Sequence, residues 1–138
     1  MYVIMYVFAV YNFFMYRYFL FIFLFLSSHV WAEWVFVGKN TDGDYFIDPS
    51  TIRKDGVLRT FWSMANYVKP DPDGTNSIRV KRENNCQQET ITGLYITTFS
   101  KPMLSGEVLV NGAPTPKVVP IAPNTVDTEY EKFVCDRK

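Results

Sequence analysis

The chain has 138 residues, and its 14 basic side chains (Lys and Arg) equal its 14 acidic ones, so that its formal net charge is zero. Such a balance argues against a nucleic-acid-binding protein, which usually carries a basic excess. One histidine and two cysteines also leave few residues for metal-binding or nucleophilic sites.

The N-terminal region has the pattern of a secretory signal peptide. Arg17 precedes a short apolar run, and Val30 and Ala32 occupy the −3 and −1 positions of a cleavage site. We therefore predict a signal peptide at residues 1–32, with Met15 as a second candidate for the start of translation. An uncleaved membrane anchor is the alternative, because the stretch before the cleavage site is almost entirely apolar and long enough to span a bilayer.

Cleavage would leave residues 33–138, which is 138 less 32 or 106 residues, as one domain. It would remove the only histidine, His29, and Glu33 instead of a cysteine comes directly after Ala32, so that no lipid anchor is evident. Export would also expose Cys86 and Cys135 to an oxidising compartment, where two cysteines of a small domain usually pair. The bond would close a loop of about 50 residues and stabilise the fold by about 4 kcal/mol. Redox-active thiols are the alternative, but the Cys-x-x-Cys spacing is missing.

The exported part has the sequence pattern of β-structure: segments rich in β-branched and aromatic residues are separated by the turn-forming residues Gly, Pro, Asn and Asp. Residues 49–52 predict a single helical turn, because Pro49 suits the first position of a helix. Asn111 and Gly112 together form a strong hairpin signal. The predicted strands cover residues 34–37, 44–48, 57–68, 77–85, 90–99, 106–110 and 117–121.

Only the C-terminal tail has helical periodicity. Asn124 or Thr125 is the predicted N-cap, and the apolar residues that follow recur at helical spacing. Cys135 lies off that apolar stripe, so that either the helix loosens before it or the flank of the helix reaches the strand holding Cys86. We predict an α+β domain, in which an antiparallel sheet of about six strands carries one C-terminal helix stapled by one disulfide. The stripe consists of Val126, Tyr130, Phe133 and Val134.

The exported part offers little enzymatic chemistry. Without His29 no Ser/His or Cys/His pair can form, and paired cysteines provide no thiolate. Residues 42–44 and 71–74 resemble fragments of calcium loops, but neither has the full series of ligands. We therefore predict a non-enzymatic protein with no cofactor and no metal site. A hydrolase that uses two carboxylates in a cleft is the one enzymatic alternative.

One local concentration of positive charge lies just before Cys86. Arg79 and Lys81 share the outward face of their predicted strand, whereas Arg82 has the parity of the apolar residues. A basic strip of this kind could engage an acidic protein partner or a sulfated polysaccharide. The alternative is a solvated strand face that Glu83 partly neutralises. Core positions are expected for the aromatic residues Trp34, Tyr45, Phe61, Trp62, Tyr95 and Phe99.

These features occur in one order along the chain that resembles the surface-adhesin protein E family of Gram-negative bacteria. The order is the 34–37 strand, Asp42-Gly43 before Tyr45-Phe46-Ile47-Asp48, Ile52 before Gly56, the Trp62 strand, Ser77-Ile78-Arg79 leading to Asn85-Cys86, and Pro123 before a helix that ends in Val134-Cys135. The resemblance covers residues 33–138.

The resemblance implies a sheet with a C-terminal helix and a disulfide between Cys86 and Cys135. It also implies binding to host matrix and plasma proteins, vitronectin and laminin among them, and the capacity to form a homodimer. The binding region of the family would correspond to Arg79, Lys81 and Arg82. The missing lipidated cysteine leaves the periplasm, the outer surface and the medium as destinations. A periplasmic structural or small-ligand-carrying protein, with the aromatic face of the sheet as a pocket or dimer surface, is the alternative function.

Overall fold

Residues 33–136 are described by a computed structural model, in which seven strands precede one helix. The predicted signal peptide and the two C-terminal residues lie outside the described part. The strands are β1 (Val35–Lys39), β2 (Gly43–Asp55), β3 (Leu58–Tyr67), β4 (Ser77–Asn85), β5 (Thr90–Lys101), β6 (Ser105–Gly112) and β7 (Val118–Pro120), and the helix is α1 (Val126–Cys135).

All strands belong to one antiparallel sheet in the order β1-β2-β3-β4-β5-β6, so that each of these strands lies beside its neighbour in sequence. β7 pairs with the first residues of β5, Thr90–Thr92, on the same side as β6. A disulfide joins Cys86, next to the end of β4, to Cys135 in the last turn of α1. The predicted α+β class, the approximate strand number and the disulfide are therefore confirmed.

The sheet has two unlike faces, because successive side chains of a strand point to opposite sides. The face under α1, here called the helix face, holds a core of buried side chains. The other face, here called the open face, has no helix of residues 33–136 against it. The β5–β6 loop folds over one corner of the open face, where the backbone N–H of Met103 donates to Asn66 Oδ1 and that of Leu104 to Ser77 Oγ. The buried core residues are Ile47, Phe61, Tyr130 and Val134.

The helical turn predicted at residues 49–52 is wrong, because β2 continues through them. Asp48 opposes Trp62 and Arg53 opposes Thr60, so that β2 has extra residues in a bulge between these pairs. The Asp48 carboxylate accepts hydrogen bonds from the backbone N–H and the hydroxyl of Ser50. Pro49 is compatible with a helix start, which is why the sequence predicts a turn. A bulge accommodates the proline and the Asp48–Ser50 hydrogen bonds within a strand.

The hairpin predicted at Asn111-Gly112 is also wrong. β6 ends at Gly112, and the next strand, β7, pairs with β5 instead of β6. Pro114 and Pro116 lie in the connection and cannot donate hydrogen bonds to a returning strand. The chain therefore runs past β6 and pairs with the vacant half of β5.

The helix keeps its form up to Cys135, so that its flank reaches Cys86, as the second of the two predicted alternatives had it. Thr125 occupies the N-cap position, but its hydroxyl donates to the Ala122 carbonyl instead of accepting from the helix. The Tyr130 hydroxyl donates across the core to the Phe46 carbonyl at 3.2 Å. Among the described residues no helix is long and apolar enough to cross a membrane.

Candidate functional site

Arg79 lies on the open face and stacks on an aromatic side chain. Its guanidinium carbon is 5.0 Å from the centre of the Trp62 ring, which is within the range of a cation–π contact. The Trp62 ring in turn meets Tyr95 edge-on, with ring centres 6.3 Å apart. Arg79 Nε is buried and has no hydrogen-bond partner among the described residues, so that stacking holds the guanidinium in place.

Lys81 completes this arrangement. In the strand register Trp62 opposes Lys81 and Lys81 opposes Tyr95, which places the exposed ammonium group in a row between two aromatic side chains. Within residues 33–136 the Lys81 side chain has no ion-pair or hydrogen-bond partner. Its charge is therefore available to an acidic partner.

Arg82 lies on the helix face, as its parity predicted. Its Nε donates to Ser63 Oγ at 2.9 Å, and its terminal nitrogen is 3.3 Å from a carboxylate oxygen of Asp127 in α1. The guanidinium also lies 5.3 Å from the centre of the Tyr130 ring. The structure thus brings Arg79 and Lys81 together and sets Arg82 apart, where it ties the first turn of α1 to the sheet.

Apolar side chains extend the open face beyond the two cations. Phe36 and Phe46 meet edge-on with ring centres 5.7 Å apart, and 53% of Phe36 is exposed. Together with the arginine, lysine and their aromatic neighbours they form a surface that we call the open-face band. The band consists of Phe36, Phe46, Trp62, Arg79, Lys81 and Tyr95.

Sequence reasoning placed Trp62 and Tyr95 in the core. Both are partly exposed and belong to the band. Phe61 and Trp62 are consecutive in β3 and face opposite ways, so that parity shows that they cannot share one core, but it does not show which of the two α1 covers. Tyr45 and Phe61, in contrast, do belong to the helix-face core and its partly buried surround.

Within residues 33–136 the acidic groups near the band form no ion pair with it. Asp48 opposes Trp62, but it is only 5% exposed and its carboxylate is engaged by Ser50. Glu83 shares the face of Lys81 and opposes Thr60 and Thr92, without an ion pair to the band. The open face therefore offers two cations in an aromatic setting.

The titratable groups of the helix side serve packing. Burial raises the pKa of Tyr130 far above that of a free tyrosine, and nearby Arg82 offsets this only in part. The pKa of Glu131 is raised by burial and by the carboxylates of Glu89 and Asp136. Between Glu33 and Asp136 no group of three or more His, Cys, Asp or Glu side chains could hold a metal ion.

Comparison with known proteins gives a consistent result. The model of the family "Surface-adhesin protein E" matches residues 34–136. The selenomethionine form of Haemophilus influenzae protein E is similar at a TM-score of 0.57 and 21% identity, over 78% of this chain and 89% of that one. A further structure, of protein E from non-typeable Haemophilus influenzae, has a TM-score of 0.54 at 21% identity and covers 79% of each chain. At such identities the likeness concerns the fold alone. No curated protein sequence matches the chain.

Proposed function

The chain belongs to the surface-adhesin protein E family, and from this premise we propose that it is an exported, non-enzymatic protein that binds a protein partner through the open-face band. Family membership implies an adhesin-like protein that is exported or at the cell surface. The position and chemistry of the binding surface are our proposal.

The observation that carries the proposal is the stack of Arg79 on Trp62 beside Lys81 and Tyr95, on a sheet face that no helix of residues 33–136 covers. Tryptophan, tyrosine and arginine are the residues that most often dominate the binding energy of protein interfaces. Stacking fixes the guanidinium before a partner arrives, which reduces the entropy lost on binding. The band therefore has the composition of a binding centre and also its preorganisation.

The partner that fits the band carries acidic groups and apolar surface. Two unpaired cations would attract carboxylates, while the aromatic rings would be desolvated on contact. Vitronectin and laminin, which the family resemblance suggests, are the first candidates. The outer surface is the location that this function requires.

A binding assay tests the proposal directly. Purified residues 33–138 are expected to bind immobilised vitronectin or laminin, and Arg79→Ala/Lys81→Ala should weaken binding at least tenfold. The matched control is Lys117→Ala/Lys132→Ala, which removes two charges outside the band and should change affinity less than twofold. Absence of binding by the parent, or equal binding by both double variants, would contradict the proposal.

Protease treatment of intact cells tests the location. A surface protein should be cleaved within residues 33–138 without permeabilising the outer membrane. Full protection until permeabilisation would favour the second candidate, a periplasmic protein that carries a small ligand. A groove on the helix side of the sheet, lined by Tyr45 and Tyr67, favours that candidate.

The homodimer implied by the resemblance stays a prediction. The edge strand β6 supports it, because Val108, Leu109 and Val110 are 50%, 38% and 54% exposed and the outer backbone groups of an edge strand can pair with another chain. Extra residues in β6 interrupt its register with β5, which weakens the case for a long continuous pairing. Native mass spectrometry should show a dimer that Leu109→Lys dissociates, and a monomeric parent would contradict it.

A further inference from the structure

Two clefts lie beside the beginning of β2 and the end of β3, and one of them also borders the start of α1. One has a volume of about 550 Å³ and runs along the β3–β4 loop past Asp71. The other has a volume of about 650 Å³ and runs between the β1–β2 turn and the residues that begin α1. Tyr45 and Tyr67 line both clefts, so that the two adjoin at these side chains; together they are here called the tyrosine groove. It lies on the helix side of the sheet, away from the open-face band.

The floor of the groove is aromatic and polar at once. Gly43 opposes Tyr67 and Tyr45 opposes Ala65, which makes the two tyrosines diagonal neighbours on one face. Neither phenol hydroxyl has a hydrogen-bond partner within the described part of the chain. Burial raises the pKa of Tyr67, with smaller contributions from Tyr45 and Asp71, so that its phenol is uncharged at neutral pH. A tyrosine hydroxyl can both donate and accept hydrogen bonds.

The rim of the groove is almost neutral. Four acidic and three basic side chains line the two clefts, and one of the basic ones, Arg82, is already paired with Asp127. Asp127 and Glu129 lie in the first turn of α1 and offset the positive end of the helix dipole, which disfavours an anion there. A wholly apolar ligand is also disfavoured, because it would desolvate the carboxylates of Asp42 and Asp71.

A neutral ligand with many hydroxyl groups meets these conditions. We propose that the tyrosine groove binds a neutral oligosaccharide, with apolar sugar faces against Tyr45 and Tyr67 and sugar hydroxyls bonded to Asp42, Asp71 and Lys69. Aromatic rings supply contact area at a low cost in conformational entropy, and carboxylates accept hydrogen bonds from paired hydroxyls. The inference rests on the second candidate function, the carrying of a small ligand, and is independent of adhesion through the open-face band.

Titration of residues 33–138 with neutral tetrasaccharides tests the inference. Maltotetraose, cellotetraose and chitotetraose serve as neutral probes, a heparin tetrasaccharide serves as the charged one, and backbone amide NMR shifts report where each binds. We expect saturable shifts around Tyr45 and Tyr67 with at least one neutral probe. Tyr67→Ala should weaken that binding at least tenfold, and Tyr67→Phe less, because it keeps the ring.

A second variant guards against a loss of folding. Asp42→Asn keeps the size of an exposed side chain, removes one charged acceptor and should weaken binding about fivefold, whereas Lys117→Ala, which lies outside the groove, should not change it. The proposal is overturned if no neutral probe saturates, or if the folded Asp42→Asn and Tyr67→Phe proteins bind like the parent. It is also overturned if only the heparin probe binds and Arg79→Ala/Lys81→Ala abolishes the shifts, since that places binding on the open-face band.

Discussion

The two faces of the sheet use the same kinds of residues for opposite purposes. On the helix face Arg82 stacks on Tyr130, bonds to Ser63 and pairs with Asp127. Arg79 lies three residues before Arg82 in β4 and points to the open face. It stacks on Trp62 and has no ion pair within residues 33–136. An arginine over an aromatic ring thus ties the helix to the sheet on one side, and on the other it is left without an ion pair within the described residues. Both arginines are half-buried, so that the presence of an ion-pair partner decides which role the pair has.

The largest expected effect on stability comes from the disulfide, which ties α1 to the sheet and has no counterpart on the open face in the described structure. Cys86→Ser/Cys135→Ser should lower the free energy of unfolding by about 4 kcal/mol, since the bond closes a loop with a sequence separation of 49 residues. Urea unfolding measures the loss. Reduction of the parent should reproduce it, and the same reductant should leave the double variant unchanged. A loss below about 1 kcal/mol would mean that packing alone holds α1.

The paired arginines allow one chemical change to be compared on both faces. Arg82→Ala should destabilise the protein by about 2 kcal/mol, because it leaves Asp127 without its partner and removes a charged hydrogen bond to Ser63. Arg79→Ala should cost about 0.5 kcal/mol, the value of a partly exposed cation–π contact. Chemical denaturation of the two variants under one set of conditions gives the difference. Equal losses would remove the distinction between a structural and a displayed arginine.

The stability of the helix face should fall at alkaline pH because of buried Tyr130, whereas that of the open face should not. Its pKa is raised in the folded protein by burial, so that the folded state holds the proton more tightly than the unfolded state. The stability linked to this proton is complete below the unfolded pKa of about 10 and is lost as pH rises from there toward the folded pKa.

Tyr130→Phe removes this group and also the hydrogen bond from its hydroxyl to the Phe46 carbonyl. The variant should be about 1 kcal/mol less stable at pH 7 and lose less stability than the parent above pH 10. Urea unfolding from pH 7 to pH 11 measures both curves. Tyr95→Phe, on the open face, is the control and should follow the parent. Parallel curves for the parent and Tyr130→Phe would contradict the assignment.

The fold was largely accessible from the sequence because its signals are local. The alternation of β4 placed Arg79 and Lys81 on one side and Arg82 on the other, and the structure has the same arrangement. The helical turn predicted at Pro49 is wrong because a proline followed by Ser50, which donates to the Asp48 carboxylate, suits a bulge as well as a helix start. The hairpin at Gly112 failed because β5 offered a vacant half for pairing, which depends on the completed sheet.

The candidate sites were less accessible for a related reason. Parity relates residues within one strand, but it does not say which side a helix will cover. Trp62 therefore looked like a core residue until the position of α1 exposed its face. The tyrosine groove had no signal at all, because the β1–β2 turn, the β3–β4 loop and the start of α1 are far apart in the chain and meet only in the folded protein.

Lys81→Ala should have the smallest effect on stability, and it best separates a role of Lys81 in binding from a role in folding. Lys81→Ala removes an exposed side chain without a partner in the described structure, so that the free energy of unfolding should change by no more than about 0.5 kcal/mol. If the open-face band binds an acidic partner, the same variant should weaken binding, and the difference from the parent should shrink as salt rises. Unchanged stability with salt-sensitive loss of affinity is the pattern of a displayed charge. A marked loss of stability would instead show that Lys81 supports the aromatic row on either side of it, and the open face would then be a second structural surface.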